Sequence, residues 1–189
     1  MLDKGLFGRA VQVFLTQPVE FGAAGLLAVA ATAFSGGILA GPALGGIVVM
    51  TLRKMSDEPV ALADLLKGYE SFAATIPIGL ALGVMVIFGS ALLLVPGLVL
   101  GATYAMALPA SLDRGLAAGV ALAEARRLAG RDLLSTTIFF TGACALALSG
   151  AVVLLAGLCV TVPIATIAMT LAYREAAGGE VLGDEDAPY

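Results

Sequence analysis

Apolar residues in this chain gather in three long blocks, Phe21–Leu52, Phe72–Leu112 and Leu133–Tyr173, and none of the three contains Asp, Glu, Lys or Arg. A membrane-spanning helix needs about 20 apolar residues. The second and third blocks are each long enough for two such helices. The first is at the lower limit for two, and a single span over all of it would need a large tilt. Breakers near the block centres favour two helices each. Block one carries Ser35-Gly36-Gly37 and Gly41-Pro42, and block two carries Pro96-Gly97. Such pairs mark turns and helix starts. Hairpin turns are therefore expected at Pro42 and at Pro96 and Gly97. Block three has Gly150 and Gly157 but no central proline.

The expected fold is all-α: three helical hairpins over 21–52, 72–112 and 133–173, six transmembrane or partly re-entrant helices in all. Residues 1–175 would form one membrane domain. Between the blocks the polar pattern changes period. Leu2, Leu6, Phe7, Ala10, Val13 and Phe14 recur at helical spacing, with Lys4, Arg9 and Gln12 opposite. Residues 1–18 thus read either as an interfacial helix or as one packed on the bundle. In Arg53–Ser71, Ser56 or Asp57 would cap a helix that places Leu62, Leu65, Leu66 and Tyr69 on one face and turns Asp64 and Lys67 out. In Asp113–Asp132, Asp113 would cap a second amphipathic helix and Gly130 would stop it. Each amphipathic segment followed by a hairpin makes a weak three-fold pattern.

The positive charges give these elements an orientation. All ten Lys and Arg lie outside the blocks. With two spans per block they fall on one side, which obeys the positive-inside rule and places both termini in the cytoplasm. Re-entrant hairpins would give the same charge pattern, most readily for block one. Met1–Glu20 lacks a signal-peptide core, so no cleavage is expected.

Composition agrees. The chain is 60% hydrophobic and 13% charged, and its mean hydropathy is +1.02. Soluble domains are about 45–50% apolar and about 25% charged, so lipid is the natural solvent here. The tail 176–189 holds Glu180, Asp184, Glu185 and Asp186, and it reads as disordered and able to dock a protein partner. It sets the low pI, which therefore says nothing about nucleic acid; no nucleic-acid partner is expected.

Candidate chemistry is sparse. There is no histidine, and Cys144 and Cys159 lie inside apolar runs. No metal, cofactor or catalytic residue is expected. Small residues four apart, at Gly37, Gly41, Gly45, Gly79, Gly83, Gly97 and Gly101, point to close helix–helix contact within the chain or between copies. Arg114, Arg126, Arg127 and Arg131 form a basic cluster suited to anionic lipid headgroups, or to orientation alone. The only polar side chains within the blocks are hydroxyls, among them Thr103, Tyr104 and Thr141, which leaves no ionisable group for coupled transport. Two functions remain. One is a non-enzymatic, self-associating membrane scaffold. The other is an uncoupled channel, facilitator or lipid-handling protein.

Four stretches carry a family resemblance: Arg53-Lys54 with Glu58-Pro59 and Asp64–Phe72, then Leu92–Gly97, then Asp113-Arg114-Gly115 with Ala121–Arg127, and finally Gly157–Pro163 through Ala172-Tyr173-Arg174. Over roughly residues 15 to 175 the chain resembles the YciC-like family of bacterial integral membrane proteins, which is related to the membrane domain of some glycerophosphodiester phosphodiesterases. Ala125 departs from the serine expected before the basic pair, and Leu133 from an aromatic. The resemblance implies a six-helix protein of the bacterial inner membrane and no established activity.

Overall fold

The computed structural model describes residues 5–92, 94–152 and 155–178, and the described elements are all helical. In chain order they are α1 (Leu6–Thr16), α2 (Pro18–Phe34), α3 (Ala40–Met55), a 3₁₀ turn (Leu62–Leu66), α4 (Lys67–Glu70), α5 (Phe72–Leu92), α6 (Leu94–Tyr104), α7 (Ala107–Arg114), α8 (Ala118–Ala129), α9 (Leu133–Val152) and α10 (Leu155–Ala177). The three charge-free blocks hold the pairs α2–α3, α5–α6 and α9–α10. By length and composition, Gly157–Ala177 is the one described helix that could cross a membrane alone. Up to three could do so if the bent pairs α1 with α2 (102°) and 62–70 with 72–85 (87°) each count as one span.

Local chemistry sets the boundaries. Pro18 opens α2 at its first position, where its missing N–H costs nothing. The first hairpin turns at 35–39, with Gly36 and Gly37 at positive φ. Pro42 therefore lies inside the first turn of α3 and not in the hairpin turn. Pro96 and Gly97 likewise fall within α6, just past the α5–α6 join. The second block breaks again after Tyr104. Pro109 has no N–H to give the Ala105 carbonyl, and its ring crowds that oxygen, so α6 ends and α7 begins.

Helix α10 is central, packing on α9, α2, α1 and α3 through buried Ile164, Ile167, Ala168 and Leu171. Its interior proline, Pro163, brings no N–H toward the Cys159 carbonyl one turn back. Gly25 of α2 fits this spot: a Cβ there would lie 2.6 Å from that oxygen and 2.5 Å from the proline ring. Helix α1 lays Leu6, Ala10, Val13 and Phe14 on the bundle, and Phe7 stacks on Phe139 of α9 at 4.6 Å. Its opposite side leaves Val11 and Leu15 exposed. The outer faces of the long helices are apolar as well, with Val19, Phe34, Leu80, Leu134 and Ile138 all more than half exposed.

Two surface segments differ from the sequence pattern. Helix α3 closes in a Schellman arrangement around Asp57 at φ 55°, with Glu58 N–H on the Arg53 carbonyl and Asp57 N–H on that of Lys54. The chain then makes a 3₁₀ turn and a short helix, and neither Ser56 nor Asp57 caps a helix there. Asp64 is turned inward, while Leu62 and Leu66 face out. The reason is electrostatic: Arg53 and Lys67 both reach for the Asp64 carboxylate. Asp113 does not cap the second surface helix. It lies in the last turn of α7, which Gly115 closes in the left-handed region with Leu116 N–H bonded to the Ser111 carbonyl. Helix α8 starts at Ala118 and stops just before Gly130.

Candidate functional site

A half-open chamber of about 450 Å³ lies among α3, α5, α7, α9 and α10. Its wall is made of small and aliphatic side chains. Leu44 and Val48 come from α3, Leu82 from α5, Leu108 and Pro109 from α7, Phe140 and Ala143 from α9, and Ala165 and Met169 from α10. The space exists because glycine and alanine occupy positions where larger residues would fill it. Gly83 is one such residue, with nothing within 4 Å of the place its Cβ would take. The two threonine hydroxyls on the wall are spent on their own helix. Thr166 donates to the Val162 carbonyl and Thr170 to that of Thr166, both at 2.9 Å. Thr103, Tyr104 and Thr141 do not line the chamber, and the hydroxyls of Thr103 and Thr141 also bond back within their helices.

Charge gathers where α3, α7 and α10 end, and it forms three knots. In the first, Asp64 is the buried charged residue among those described. Its carboxylate meets Arg53 and, at 2.9 Å, Lys67, and it accepts the Ala61 N–H at 2.9 Å. Burial works against the charge, but the Ala61 amide, Lys67 and Arg53 together outweigh it and hold the carboxyl below its ordinary range. Glu58 takes the other side of Arg53 at 2.8 Å. In the second knot Glu124 accepts from Arg127 at 2.6 Å and from Arg114 at 3.3 Å. The Arg127 hydrogen bonds hold its carboxyl below the usual range, against a smaller opposing effect of burial. In the third, Asp113 joins Arg174 at 2.6 Å and accepts the Tyr173 hydroxyl at 3.1 Å. Asp113 stands one helical turn beyond Pro109, and Tyr173 and Arg174 one turn beyond Met169 and Thr170. The third knot therefore lies past the charged end of the chamber, on the same helix faces.

The basic cluster predicted for lipid headgroups is thus mostly engaged within the chain. Arg114 and Arg127 hold Glu124, and Arg131 donates to the Ala176 carbonyl at 3.0 Å. Arg126 is exposed. The signal for Glu124 was its spacing three before Arg127. For Asp64 the signal was the Arg53 and Lys67 pair on either side of it, which an amphipathic-helix reading overrides.

The glycines divide in the same way. A Cβ on Gly41 would overlap the Thr75 carbonyl, and one on Gly79 would come within 2.6 Å of the Gly41 backbone. Helices α3 and α5 therefore touch backbone to backbone. Gly45 faces Leu112 and Thr75, at 3.2 and 3.5 Å from its Cβ position. Gly46 and Gly68, not singled out by four-residue spacing, seat the 3₁₀ turn and α4 on α3 just as closely. Gly97 and Gly101 are buried on α6, and Gly37 lies at the open tip of the first hairpin. Residues 179–189 of the acidic tail lie outside the described residues.

No family model, curated protein or solved structure matches the chain.

Proposed function

We propose that this chain is a multi-pass protein of the bacterial inner membrane, of the YciC-like kind, with both termini in the cytoplasm and no catalytic step of its own. We further propose that it handles lipid by taking an acyl chain into the chamber between α3, α5, α7, α9 and α10. The observation that carries this is the chamber itself. At about 450 Å³ it falls within the 300–1,000 Å³ typical of ligand sites, and its wall is almost wholly apolar. An empty apolar cavity of this size is costly, because its lining atoms lack partners. An acyl chain supplies them, and the half-open side gives it a way in. The exposed aliphatic and aromatic side chains around the bundle favour a lipid surrounding. The self-association reading has less support, since Gly41, Gly45 and Gly79 are already used within the chain. A hydroxyl-lined path has less support too, since the chamber's hydroxyls are tied to their own backbone.

The test uses the full chain in phospholipid vesicles containing a lipid with a photoactivatable diazirine near its acyl terminus. Cross-links are expected on α9 and α10 around Ala143 and Ala165. Ala143→Trp, which fills the chamber, should reduce them several-fold, while Leu134→Trp on the outer face should not. The native Cys144 lines the chamber, so its reaction with N-ethylmaleimide should slow as acyl lipid is added. Equal cross-linking in both variants together with an unchanged Cys144 rate would sink the lipid reading.

A further inference from the structure

We propose that the α2–α3 hairpin is re-entrant: it dips into the bilayer from the charged side, and its tip at 35–39 rests among lipid acyl chains without reaching the far aqueous face. The inference rests on the membrane reading above. It does not depend on the chamber.

Length is the first argument. Glu20 and Arg53 are the charged residues nearest the open ends of the two helices, so they fix the hairpin at one interface. From Glu20 to Phe34, α2 rises about 21 Å, and from Arg53 back to Ala40, α3 spans about 20 Å, at about 1.5 Å per residue. The hydrocarbon core is about 30 Å thick, so the helix ends fall roughly 10 Å short of the far side, a gap that a tight turn does not close. Helix α10, with 23 residues, has no such deficit.

The second argument is how the tip treats its backbone. Loops exposed to hydrocarbon are excluded from membranes because their polar groups lack partners. This turn supplies partners for its amides. Ser35 N–H bonds to the Ala31 carbonyl, Gly36 to Ala33, Gly37 to Thr32, Ile38 to Ser35 and Ala40 to Gly37. The remaining amide, that of Leu39, bonds to the Ser35 hydroxyl at 3.0 Å, and that hydroxyl donates in turn to the Thr32 carbonyl. Every amide from 35 to 40 is therefore occupied. The positive φ of Gly36 allows the Schellman closure that brings this about. Two positions further on, Pro42 brings no N–H to the otherwise unpaired start of α3.

The third argument is what the tip presents. Phe34 is 95% exposed and Ile38 56%, and no charged residue stands between Glu20 and Arg53. A turn in water would gain from polar side chains here. A turn in lipid gains from these two.

The experiment places single cysteines in a Cys144→Ala/Cys159→Ala background at Phe34 or Ile38, with Leu66→Cys as the charged-side control. Each is probed in membrane vesicles of both orientations with a membrane-impermeant maleimide. Each is then spin-labelled to compare collisions with oxygen and with a water-soluble nickel chelate. Phe34→Cys and Ile38→Cys should resist maleimide from both sides and collide with oxygen far more than with nickel. Leu66→Cys should react from the charged side. Maleimide reaction at either tip cysteine from the opposite side overturns re-entry and makes the hairpin a pair of spans in a locally thinned bilayer. Release of the protein by alkaline carbonate would instead remove the membrane reading, and re-entry with it.

Discussion

The first hairpin and the last pair of helices occupy the same kind of sequence, a charge-free apolar block, yet they are held in different ways. Helices α2 and α3 are short and depend on absent side chains. Gly41 touches the backbone of α5, Gly46 that of the 3₁₀ turn, and Gly25 that of α10 beside Pro163. Helices α9 and α10 are longer, pack against each other and bury side chains such as Phe139, Ala143, Ile164 and Ile167. The Thr161 hydroxyl also reaches across, to the Ala147 carbonyl at 3.4 Å. Backbone contact is rigid because neither side can yield. Side-chain contact can repack. The hairpin, whose two helices are the shorter pair, is thus the part least tolerant of added atoms.

The sharpest way to break that contrast is Gly41→Leu. Its side chain would meet the Thr75 carbonyl and Gly79, both backbone, so the loss should reach or exceed the upper end of the about 1–3 kcal/mol usual for overpacking. Thermal unfolding in mild detergent should show it as a large fall in Tm. On α9, Gly142→Ala meets only the far end of the Phe7 ring at 3.3 Å, and it should cost less than about 1 kcal/mol. Equal losses in the two would erase the distinction.

Asp64→Asn tests the electrostatic anchor of the hairpin, with an expected cost of about 1–2 kcal/mol because both of its partners are partly exposed. The pH dependence comes from the lowered carboxyl. A carboxyl that is more acidic folded than unfolded contributes stability above its unfolded value of about 4, and loses it as pH falls through the lower folded value. The gap in Tm between wild type and Asp64→Asn should therefore be full at pH 6 and close below about pH 4. A gap that holds constant into acid would mean that the carboxylate charge is not what anchors the turn. The smallest effect is expected from Gly83→Ala. Its Cβ position is open and its helix is regular, so the change should be neutral or stabilising by up to about 1 kcal/mol.

Much of this architecture is legible in the sequence because lipid-compatible helices announce themselves by composition. The three blocks, the glycine-marked bend after Ser35 and the stop before Gly130 all derive from it. Other features depend on partners distant in the chain. Near Asp64, Lys67 alone does not say that the carboxylate faces inward. Arg53, on the preceding helix, decides it. Asp113 has the chemistry of a cap, but Gly115 ends the helix first and frees that carboxylate for Arg174 and Tyr173. Four-residue spacing marks Gly41 and Gly79 but misses Gly46 and Gly68, because the latter pair seats a 3₁₀ turn and a single-turn helix on α3 rather than joining two long helices. The chamber is invisible for a related reason: it is the volume left between five helices, and no single segment encodes it.

The contact between Gly41 and Gly79 also limits how this sequence could drift. Each residue has hydrogen where other amino acids carry carbon, and each fills the space the other leaves. Neither position can therefore vary alone while α3 and α5 keep this spacing. A lineage that changed one would have to reset the distance between two helices encoded in different blocks. In a collection of descendant chains, the two glycines should persist together or be lost together, as if they were one inherited character.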